Sequence, residues 1–518
     1  MVSEQVWENS VDVVVVGCGF AGANAAIAAH DSGAQVLVLE KMPCAGGISI
    51  CSGGGLRVAA DADLAHTYLR RTNGDSAPDE VLRALAEGMT QVTEQLTELA
   101  EVSGATVVYK QAPGLYPFEG CETFGFSMID AIADFDPVAA FPQTKSLGGG
   151  ALVFNVLQDN LEHREIEIWM EAAAQRLVTD ADGRVVGIRV LRDGVEIAIQ
   201  ARRGVILACG GFEADPQMQA QFWQGQPVFS CAFLGNTGDG IRMAQAVGAS
   251  LWHMWHYHGT YGFKAEGFPL GIRTKRLPDW YPGRAGEVSF DGLFNEGRAV
   301  RMPWILLDRD GRRFMNEYEP YLQDTGARPF ERYRPETQDS PSLPAWFIAD
   351  EDGRQLFPWG QPMYNDVTLS MTWSKDNQTE IDAGIIGKAD SMEALATALG
   401  IDLERLSEVV GQWNAACETG EDKQYGRPPK SMHPIARAPF YYAKMWPIVS
   451  NTQGGPVHDA RQRVLNPFNE PIDGLYAAGE LGSVFGHLYL SGGNVTECFV
   501  GGRTAGREAA NANAGEQA

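Results

Sequence analysis

Residues 11–41 read VDVVVVGCGFAGANAAIAAHDSGAQVLVLEK, and this stretch sets the architecture. Its first part, residues 11–16, is a β-branched run typical of a strand that is buried on both faces. A turn with the spacing G-x-G-x-x-G follows, then an alanine-rich helix that stops at Gly33, then a second strand that ends at Glu40. Strand, turn, helix, strand and acid together predict a dinucleotide-binding βαβ unit.

Each part of this unit has a physical task. Gly17 permits the tight turn, Gly19 lets the backbone approach a pyrophosphate, and Gly22 lets the helix pack close to the strand. The helix N-terminus directs N–H groups and a positive dipole end at the phosphates. Glu40 lies 18 residues after Gly22 and can accept hydrogen bonds from a ribose diol. The predicted cofactor contacts here are Gly17, Gly19, Phe20, Ala21, Gly22, Glu40 and Lys41.

A second glycine-rich loop, KMPCAGGISICSGGG at residues 41–55, follows the acid directly. A flavin whose ring system passes over backbone requires such a loop, whereas a nicotinamide cofactor does not. Two later strands also end in glycine, since residues 203–213 read RGVILACGGFE and residues 474–480 read GLYAAGE. Each transition can admit a cofactor at the carboxyl edge of a sheet. We therefore expect FAD.

The composition excludes several classes of protein. The 518 residues include 41 Lys and Arg against 66 Asp and Glu, a formal charge of −25. This balance argues against nucleic-acid partners, which need clustered cations, and against docking on anionic membranes. The eight cysteines include no C-x-x-C pair, so a zinc ribbon or an iron–sulfur cluster is not expected. The opening MVSEQVWENS is not a signal peptide, and no apolar run is long enough to span a bilayer. We expect a cytoplasmic enzyme.

Taken with NTGDGIRMA (residues 236–244), GRRFMNE (311–317) and GGPVHD (454–459), these motifs resemble the FAD-containing fumarate reductase and succinate dehydrogenase flavoproteins. That superfamily also contains the 3-ketosteroid dehydrogenases. The resemblance runs from about residue 11 to residue 510. It implies an α/β fold in which a discontinuous Rossmann-like FAD-binding domain carries an inserted α+β capping domain. We place the FAD-binding domain at residues 1–259 and 449–518, and the capping domain at 260–448.

The resemblance also implies how FAD is held. Succinate dehydrogenases carry a flavin-linked His just after the second glycine loop, but residues 47–51 read GISIC, so FAD is expected to bind without a covalent link. The further cofactor contacts that it implies are Gly46, Gly47, Ser49, Ser52, Gly53, Gly54, Gly210, Gly211, Asn236, Asp239, Gly240, Gly479, Glu480, Asn494 and Val495.

Two cations that bind the dicarboxylate in fumarate reductases are missing. Leu490 stands where those enzymes have an Arg before Gly-Gly-Asn, and Asn451 stands in place of the His of their His-Thr-x-Gly-Gly segment. A small dicarboxylate needs paired cationic donors, so it is disfavoured as a substrate. Arg354 does fall where these reductases keep a proton-donating Arg. A carboxylate-type ene reductase of the fumarate or urocanate class therefore stays an alternative, as does a non-catalytic flavoprotein subunit.

The segment Tyr489-Leu490-Ser491-Gly492 resembles the Tyr-x-Ser-Gly element of 3-ketosteroid Δ4-(5α)-dehydrogenases, and next the Gly-His-x-Tyr segment of Δ1-dehydrogenases. An uncharged ketone can be polarised by the Tyr489 hydroxyl and a backbone N–H of Gly492 or Gly493. Ser491 would assist removal of the acidified proton, with a second tyrosine, Tyr318 or Tyr321, completing a relay. The predicted substrate contacts are Tyr116, Tyr257, His487, Gly492 and Gly493.

The histidine-rich run WHMWHYH at residues 252–258 is open to two interpretations. It could bind a metal, but no acid or Cys joins it, so we favour an aromatic pocket wall and expect no metal.

The sequence thus predicts an FAD-dependent oxidoreductase that introduces or reduces a C=C bond next to a ketone, in a 3-ketosteroid or a similar small apolar ketone. The electron acceptor is expected to be an external quinone-like molecule or a protein carrier.

Overall fold

The computed structural model describes residues 6–275, 302–318 and 326–512. Tyr321, one of the two predicted relay tyrosines, lies outside the described residues. The chain contains both strands and helices, and β1, α1 and β2 follow one another as the sequence predicted.

The elements are numbered here in chain order. The strands are β1 (Asn9–Val16), β2 (Val36–Leu39), β3 (Leu56–Ala59), β4 (Ala105–Gln111), β5 (Phe124–Ile132), β6 (Thr144–Lys145), β7 (Glu167–Trp169), β8 (Ala172–Thr179), β9 (Val185–Arg192), β10 (Val195–Leu207), β11 (Phe229–Ser230), β12 (Leu251–Trp252), β13 (Tyr257–Phe263), β14 (Ile272–Thr274), β15 (Trp304–Leu307), β16 (Ala345–Asp350), β17 (Gly360–Gln361), β18 (Tyr364–Asn365), β19 (Gly387–Ala389), β20 (Phe440–Thr452), β21 (Gly455–Pro456), β22 (Arg463–Leu465) and β23 (Pro471–Ala477). The helices are α1 (Phe20–Asp31), α2 (Ala62–Asn73), α3 (Asp79–Met89), α4 (Val92–Ser103), α5 (Pro137–Ala140), α6 (Gly149–His163), α7 (Pro216–Phe222), α8 (Asp239–Ala246), α9 (Glu351–Arg354), α10 (Gln378–Asp382), α11 (Met392–Leu399), α12 (Leu403–Thr419) and α13 (Gly493–Asn511).

The first sheet is organised around β1, which pairs in parallel with β2 and β10. Among the described residues its strand order is β22-β23-β10-β1-β2-β7, with β9 paired to β10 and β8 paired to β9. Val13 and Val15 pack into one apolar cluster, with α1 and α13, whereas Val14 and Val16 pack into a second cluster on the opposite face. The β-branched run is therefore buried on both faces, as predicted.

Helices α1 and α13 lie side by side on this sheet, although they are nearly five hundred residues apart in sequence. A Cβ on Gly506 would lie 2.3 Å from the carbonyl oxygen of Ala25, so only glycine permits this approach. The Phe20 and Phe499 rings meet edge to face at 6.1 Å. This packing brings the N-terminal ends of both helices to the carboxyl edge of the sheet.

The second sheet has the order β15-β16-β20-β13-β14-β17 among the described residues, with β11 and β19 also paired to β20. The predicted domain boundaries at 259/260 and 448/449 fall inside β13 and β20, which pair with each other. Both strands therefore begin or end beside the first sheet and continue into the capping region. The division into two domains at those residues stays a prediction.

A smaller unit follows the second glycine loop. Helices α2 and α3 pack beside the sheet β3-β5-β4 around an apolar cluster that contains Tyr68 and Phe124. Phe485 and Leu490 from the C-terminal segment pack into the same cluster. Leu490 is fully buried there, so the position that carries an Arg in the reductases is part of an apolar core.

Candidate active site

A cleft opens at the carboxyl edge of the first sheet. The ends of β1, β2, β10 and β23 and the starts of α1 and α8 form its walls. The predicted cofactor residues that line it are Gly17, Gly19, Phe20, Ala21, Glu40, Lys41, Gly47, Ser49, Gly210, Asn236, Asp239 and Glu480. Residues far apart in sequence thus meet at one site, as expected for the strand ends of an open α/β sheet.

The first glycine turn is built for an anionic ligand. Helix α1 begins after Gly19 with no side-chain cap and no acid in its first turn. Its first N–H groups therefore need an external acceptor, for which a phosphate is well suited. A Cβ on Gly22 would lie 1.8 Å from the carbonyl oxygen of Gly17, so the third glycine of the motif allows the helix to start this close to the turn.

Glu40 ends β2 and is buried at the side of this turn. Its carboxylate accepts hydrogen bonds of 2.9 Å from the N–H groups of Cys18 and Met42, and burial raises its pKa. The remaining lone pairs can accept ribose hydroxyls. Lys41 and Asp239 also line the cleft, but Lys41 Nζ lies 2.6 Å from Asp239 Oδ2, so these two predicted contacts pair with each other.

A buried group of acids forms the wall between β10 and β23. The side-chain amide of Asn236 donates to Glu213 Oε1 at 2.7 Å and to Glu480 Oε2 at 3.1 Å. The N–H of Thr452 donates to Glu480 Oε1 at 2.8 Å. Burial raises the pKa of both acids, that of Glu480 to about 7, and their mutual repulsion adds to the rise at Glu213. Glu213 and Glu480 therefore interact with their neighbours mainly through hydrogen bonds rather than through ion pairs.

Glu213 was not among the predicted contacts. The sequence did contain a signal for it. Glu213 lies two residues after the glycine pair at the end of a buried strand, and Glu480 likewise follows a glycine, Gly479, at a strand end. Glu213 Oε2 is buried and has no hydrogen-bond partner among the described residues. An unpartnered buried oxygen beside a cleft suits a polyhydroxylated ligand that donates a hydrogen bond.

The second glycine loop contributes through its backbone. The N–H of Gly46 donates to the carbonyl of Cys18 at 2.8 Å, which joins the two glycine loops. A Cβ on Gly54 would lie 2.3 Å from the carbonyl carbon of Gly149, so Gly54 allows α6 to pack against the loop. The remaining predicted cofactor residues lie behind or beside the cleft rather than on its lining; they are Gly22, Gly46, Ser52, Gly53, Gly54, Gly211, Gly240, Gly479, Asn494 and Val495.

These residues fit FAD. The cleft offers an uncapped helix start for phosphates, a buried carboxylate for a ribose, and unsatisfied acid oxygen for the ribityl hydroxyls. Helix α13 adds a second uncapped start, at Gly492, with no acid in its first turn. No His lies between residues 47 and 51, in keeping with non-covalent binding.

A second cluster lies at the start of α13. The rings of His258 on β13 and Tyr489 pack against each other at a tilt of 41°, with centroids 4.2 Å apart. His258 Nδ1 lies 2.9 Å from Asn494 Oδ1 and 3.0 Å from Gln453 Nε2. Three distant segments are thereby joined around one imidazole. Of these residues the sequence predicted only Tyr489 and Asn494.

Three buried polar atoms of this cluster have no partner among the described residues. They are His256 Nε2, His258 Nε2 and Thr260 Oγ1. His258 and Thr260 are alternate residues of β13 and share one face of the strand. Burial lowers the pKa of His258 to about 3, and the nearby charge of Arg328 adds to the effect, so this imidazole is neutral. The arrangement offers uncharged hydrogen-bonding groups in an apolar setting.

The predicted carbonyl site at Gly492 and Gly493 is arranged differently. The N–H of Gly492 donates to the hydroxyl oxygen of Tyr489 at 2.9 Å, and that of Gly493 donates to Leu490 at 2.6 Å. Both amides are engaged within the turn that starts α13. The carbonyl of Ser491 accepts from the Arg57 guanidinium at 2.7 Å, whereas its hydroxyl makes no hydrogen bond to a described residue.

The predicted substrate residue Tyr257 lies on the opposite side of β13 from His258. It packs with Trp223 at 4.5 Å between ring centroids, and its hydroxyl donates to Glu331 at 3.0 Å. The sequence prediction differs because aromatic composition does not reveal which of two adjacent strand residues faces the site. Tyr116 packs with Phe118 in the apolar cluster of α2 and α3.

Tyr318 and His487 are also placed by the structure. Tyr318 packs against the apolar core of the capping region, and the structure shows no contact between it and Tyr489. His487 is exposed, and its ring lies 5.5 Å from that of the half-exposed Trp255. His487 and Trp255 therefore form a rim above the neutral cluster.

Arg328, rather than Arg354, is the arginine whose charge acts on the histidines of this cluster. Arg354 Nε lies 2.7 Å from Glu351 within α9, so its charge is paired in the capping region. Arg328 donates to the carbonyl of His487, and its charge lowers the pKa of His256 and of His258. Sequence reasoning missed Arg328 because no local pattern distinguishes it from other arginines of the capping region.

The three histidines of residues 252–258 make different contacts. Within residues 6–275, 302–318 and 326–512, no group of three or more His, Cys, Asp or Glu side chains could hold a metal ion. His253 instead faces two carbonyl oxygens, those of Ser483 at 2.8 Å and Ser76 at 2.6 Å.

Comparison with known families now adds to this geometry. The family described as FAD binding domain matches residues 12–496. The chain belongs to this family. The prediction of FAD as cofactor is therefore confirmed, together with the resemblance to the fumarate reductase and ketosteroid dehydrogenase flavoproteins.

The individual relatives are similar to this chain at low sequence identity. NADH:acrylate oxidoreductase of Vibrio harveyi is 27% identical over 98% of this chain, which spans only 51% of that enzyme. The 3-oxosteroid 1-dehydrogenase of Mycolicibacterium smegmatis is 27% identical over 92% of this chain and 93% of its own length. Among solved structures, 3-ketosteroid Δ1-dehydrogenase from Sterolibacterium denitrificans has a TM-score of 0.78 at 24% identity, over 97% of this chain and 99% of its own. This last similarity confirms the predicted fold class.

The longest helix in the described part of the chain is α13, with 19 residues. None of the helices found there combines the length and the apolar character that a membrane crossing needs.

Proposed function

We propose that this protein is an FAD-dependent oxidoreductase that introduces or reduces a C=C bond next to a ketone, in a 3-ketosteroid or a similar cyclic ketone. The observation that carries the proposal is the neutral pair of His258 and Tyr489 at the start of α13, with Thr260 two residues further along the same face of β13. A ketone oxygen needs uncharged donors, and the unpartnered Nε2 and Oγ1 atoms can supply them. The similarity to ketosteroid dehydrogenases supports the same substrate class.

The residues of this chain act on the carbonyl and on the adjacent proton. Hydrogen bonds from His258 Nε2–H and the Thr260 hydroxyl to the carbonyl oxygen acidify the neighbouring C–H. Ser491, whose hydroxyl is not engaged by a described residue, assists removal of that proton together with Tyr489. Bound FAD supplies a hydride acceptor. Tyr318 and Tyr321 stay candidates for a second tyrosine.

The surroundings of this cluster suit an apolar ring system. Phe485 lies 6.4 Å from His258 between ring centroids, and Trp255 flanks His256 at 4.8 Å. Apolar walls with few polar groups are typical of sites for apolar small molecules. The proposal includes a cytoplasmic location and an external electron acceptor, either a quinone-like molecule or a protein.

Anaerobic spectroscopy of the flavin tests this function. Purified holoprotein is mixed with a saturated 3-ketosteroid, a 3-keto-4-ene steroid and succinate, and the absorbance of oxidised flavin is followed. Rapid bleaching by a steroid ketone is expected, and the product identifies the carbon pair. Bleaching by succinate alone would contradict the proposal, and silence toward all three compounds would favour a non-catalytic flavoprotein.

A second candidate rests on Arg328. Its guanidinium lies close enough to His256 and His258 to lower the pKa of both, so one cation is present near the neutral cluster. A carboxylate-type ene reductase could use such a cation to bind an unsaturated acid. Rapid reoxidation of chemically reduced holoprotein by fumarate or acrylate, with loss of that reaction in Arg328→Met, would establish this alternative.

A further inference from the structure

His258 Nδ1 has two polar neighbours of opposite kind, an acceptor and a donor. This atom lies 2.9 Å from an acceptor, Asn494 Oδ1, and 3.0 Å from a donor, Gln453 Nε2. A neutral imidazole nitrogen is either an N–H or a lone pair, so only one of these contacts can be a hydrogen bond at a time. Exchanging nitrogen and oxygen in both amides would make Asn494 the donor to Nδ1, but the Asn494 amide nitrogen lies 3.5 Å from Ser483 Oγ, which donates to Glu497 and can accept, so the orientation shown is favoured.

The two amides are held in this arrangement by each other and by the fold. The Asn494 amide nitrogen donates to Gln453 Oε1 at 3.1 Å. Gln453 is fully buried, and its backbone N–H donates to the carbonyl of His256 at 3.0 Å. Turning either amide away from the imidazole would break the hydrogen bond between the two side chains.

Each possible hydrogen bond at Nδ1 fixes a different tautomer. When the Gln453 amide donates to Nδ1, the proton lies on Nε2, which then donates to a ligand. When Nδ1–H donates to Asn494, Nε2 carries a lone pair and repels a carbonyl oxygen. Two amides that need not touch the substrate therefore determine whether His258 Nε2 donates or accepts a hydrogen bond.

We propose that Gln453 is a specificity-determining residue, which donates to His258 Nδ1, places the proton on Nε2, and so matches the site to a neutral carbonyl oxygen instead of a carboxylate. This inference rests on the proposed function. The titratable or charged groups shown to interact with His258 are His256, Tyr489 and Arg328. None of them is a carboxylate that would stabilise an imidazolium.

Nitrogen NMR of the histidine side chains tests the tautomer directly in the ligand-free holoprotein. Protonated and unprotonated ring nitrogens have well separated 15N shifts, and loss of a signal in His258→Asn assigns the residue. We expect the Nε2–H tautomer in the wild type. Gln453→Met removes the donor and leaves Asn494 as acceptor, so the proton is expected to move to Nδ1.

Gln453→Glu is the complementary variant. A carboxylate next to Nδ1 favours the doubly protonated ring, so the pKa of His258 is expected to rise. Affinity for a 3-keto-4-ene steroid should fall about tenfold, the effect of losing one hydrogen bond, in Gln453→Met. In Gln453→Glu, affinity for fumarate should increase. Gln95→Glu is a matched control, because Gln95 is also buried and bonded to an amide, Asn24, at 3.1 Å; it should leave the His258 signals unchanged.

The outcomes separate this inference from the function on which it rests. A His258 tautomer that is the same in wild type and Gln453→Met overturns the inference, whichever substrate the enzyme uses. A tautomer that shifts as expected, in a protein that binds and oxidises no ketone, overturns the proposed function and with it the substrate preference. A tautomer shift together with weakened ketone binding supports both.

Discussion

Buried carboxylates meet opposite environments in the two parts of this molecule. In the capping region Glu317 is fully buried between Arg313 at 2.8 Å and Arg427 at 3.2 Å, and these charges lower its pKa. At the FAD-binding edge, Glu480 and Glu497 are bonded to neutral groups, and burial raises their pKa to about 7 and about 8. Buried charge is thus compensated by opposite charge in the capping region, whereas at the cofactor edge acids with raised pKa values are held by hydrogen bonds.

The largest expected effect comes from breaking the ion pairs of the capping region. Glu317→Ala leaves two buried guanidinium groups without their shared carboxylate, so stability should fall by roughly 3–5 kcal/mol. Denaturant unfolding of the holoprotein measures this loss. Glu101→Ala, at an exposed position on α4, serves as control and should change stability by less than about 0.5 kcal/mol. A Glu317→Ala protein as stable as the control would show that the network is dispensable.

A smaller effect, with a characteristic pH dependence, is expected at the FAD-binding edge. Glu497 accepts hydrogen bonds of 2.7 Å from the Ser483 hydroxyl and the Val484 N–H. Its pKa is raised in the folded state, so the folded protein binds more protons than the unfolded chain between about pH 4.5 and pH 8. This group therefore makes stability decrease as the pH rises through that window.

Glu497→Gln removes this titration. The variant should lose part of the decline in stability between pH 5 and pH 8, and at pH 8 it should be at least as stable as the wild type. Thermal melts across the pH range measure both quantities. A steeper decline in the variant would mean that Glu497 is ionised in the folded protein, which would remove the contrast with the capping region.

The smallest effect is expected at Arg354. This side chain is paired with Glu351, whose pKa it lowers to about 2, at the edge of the capping region. Arg354→Ala should cost about 1 kcal/mol or less, as for other ion pairs near a surface. Its kcat and KM should stay within about twofold of the wild type, because the residue does not reach the neutral cluster. A kcat loss of a hundredfold or more would restore Arg354 as a proton donor.

The sequence predicted the nucleotide half well because its signals are local. One unbroken stretch, residues 11–41, contains the strand, turn, helix and acid, and the structure buries Val13 and Val14 on opposite faces as the β-branched run indicated. The glycine spacing predicted the geometry of the turn, because a Cβ on Gly22 would have no room there.

The neutral cluster was harder to predict because it depends on contacts between distant segments. Tyr257 and His258 are adjacent in sequence and differ only in the side of β13 that each one faces. Gln453 approaches His258 across 195 residues, and no local pattern in the sequence indicates that pairing. Only the tertiary structure shows that Arg328, and not Arg354, acts on the neutral cluster.

Binding to the oxidised holoprotein tests the central claim, that this site takes a neutral ketone, most directly. Titration with a 3-keto-4-ene steroid and, separately, with fumarate is followed through the flavin absorbance spectrum at fixed pH and ionic strength. The account predicts a saturable spectral change with the steroid, at least about tenfold tighter than any change with fumarate, and weakened in Thr260→Val by the loss of one hydrogen bond. Tighter binding of fumarate, displaced by no ketone, would contradict it.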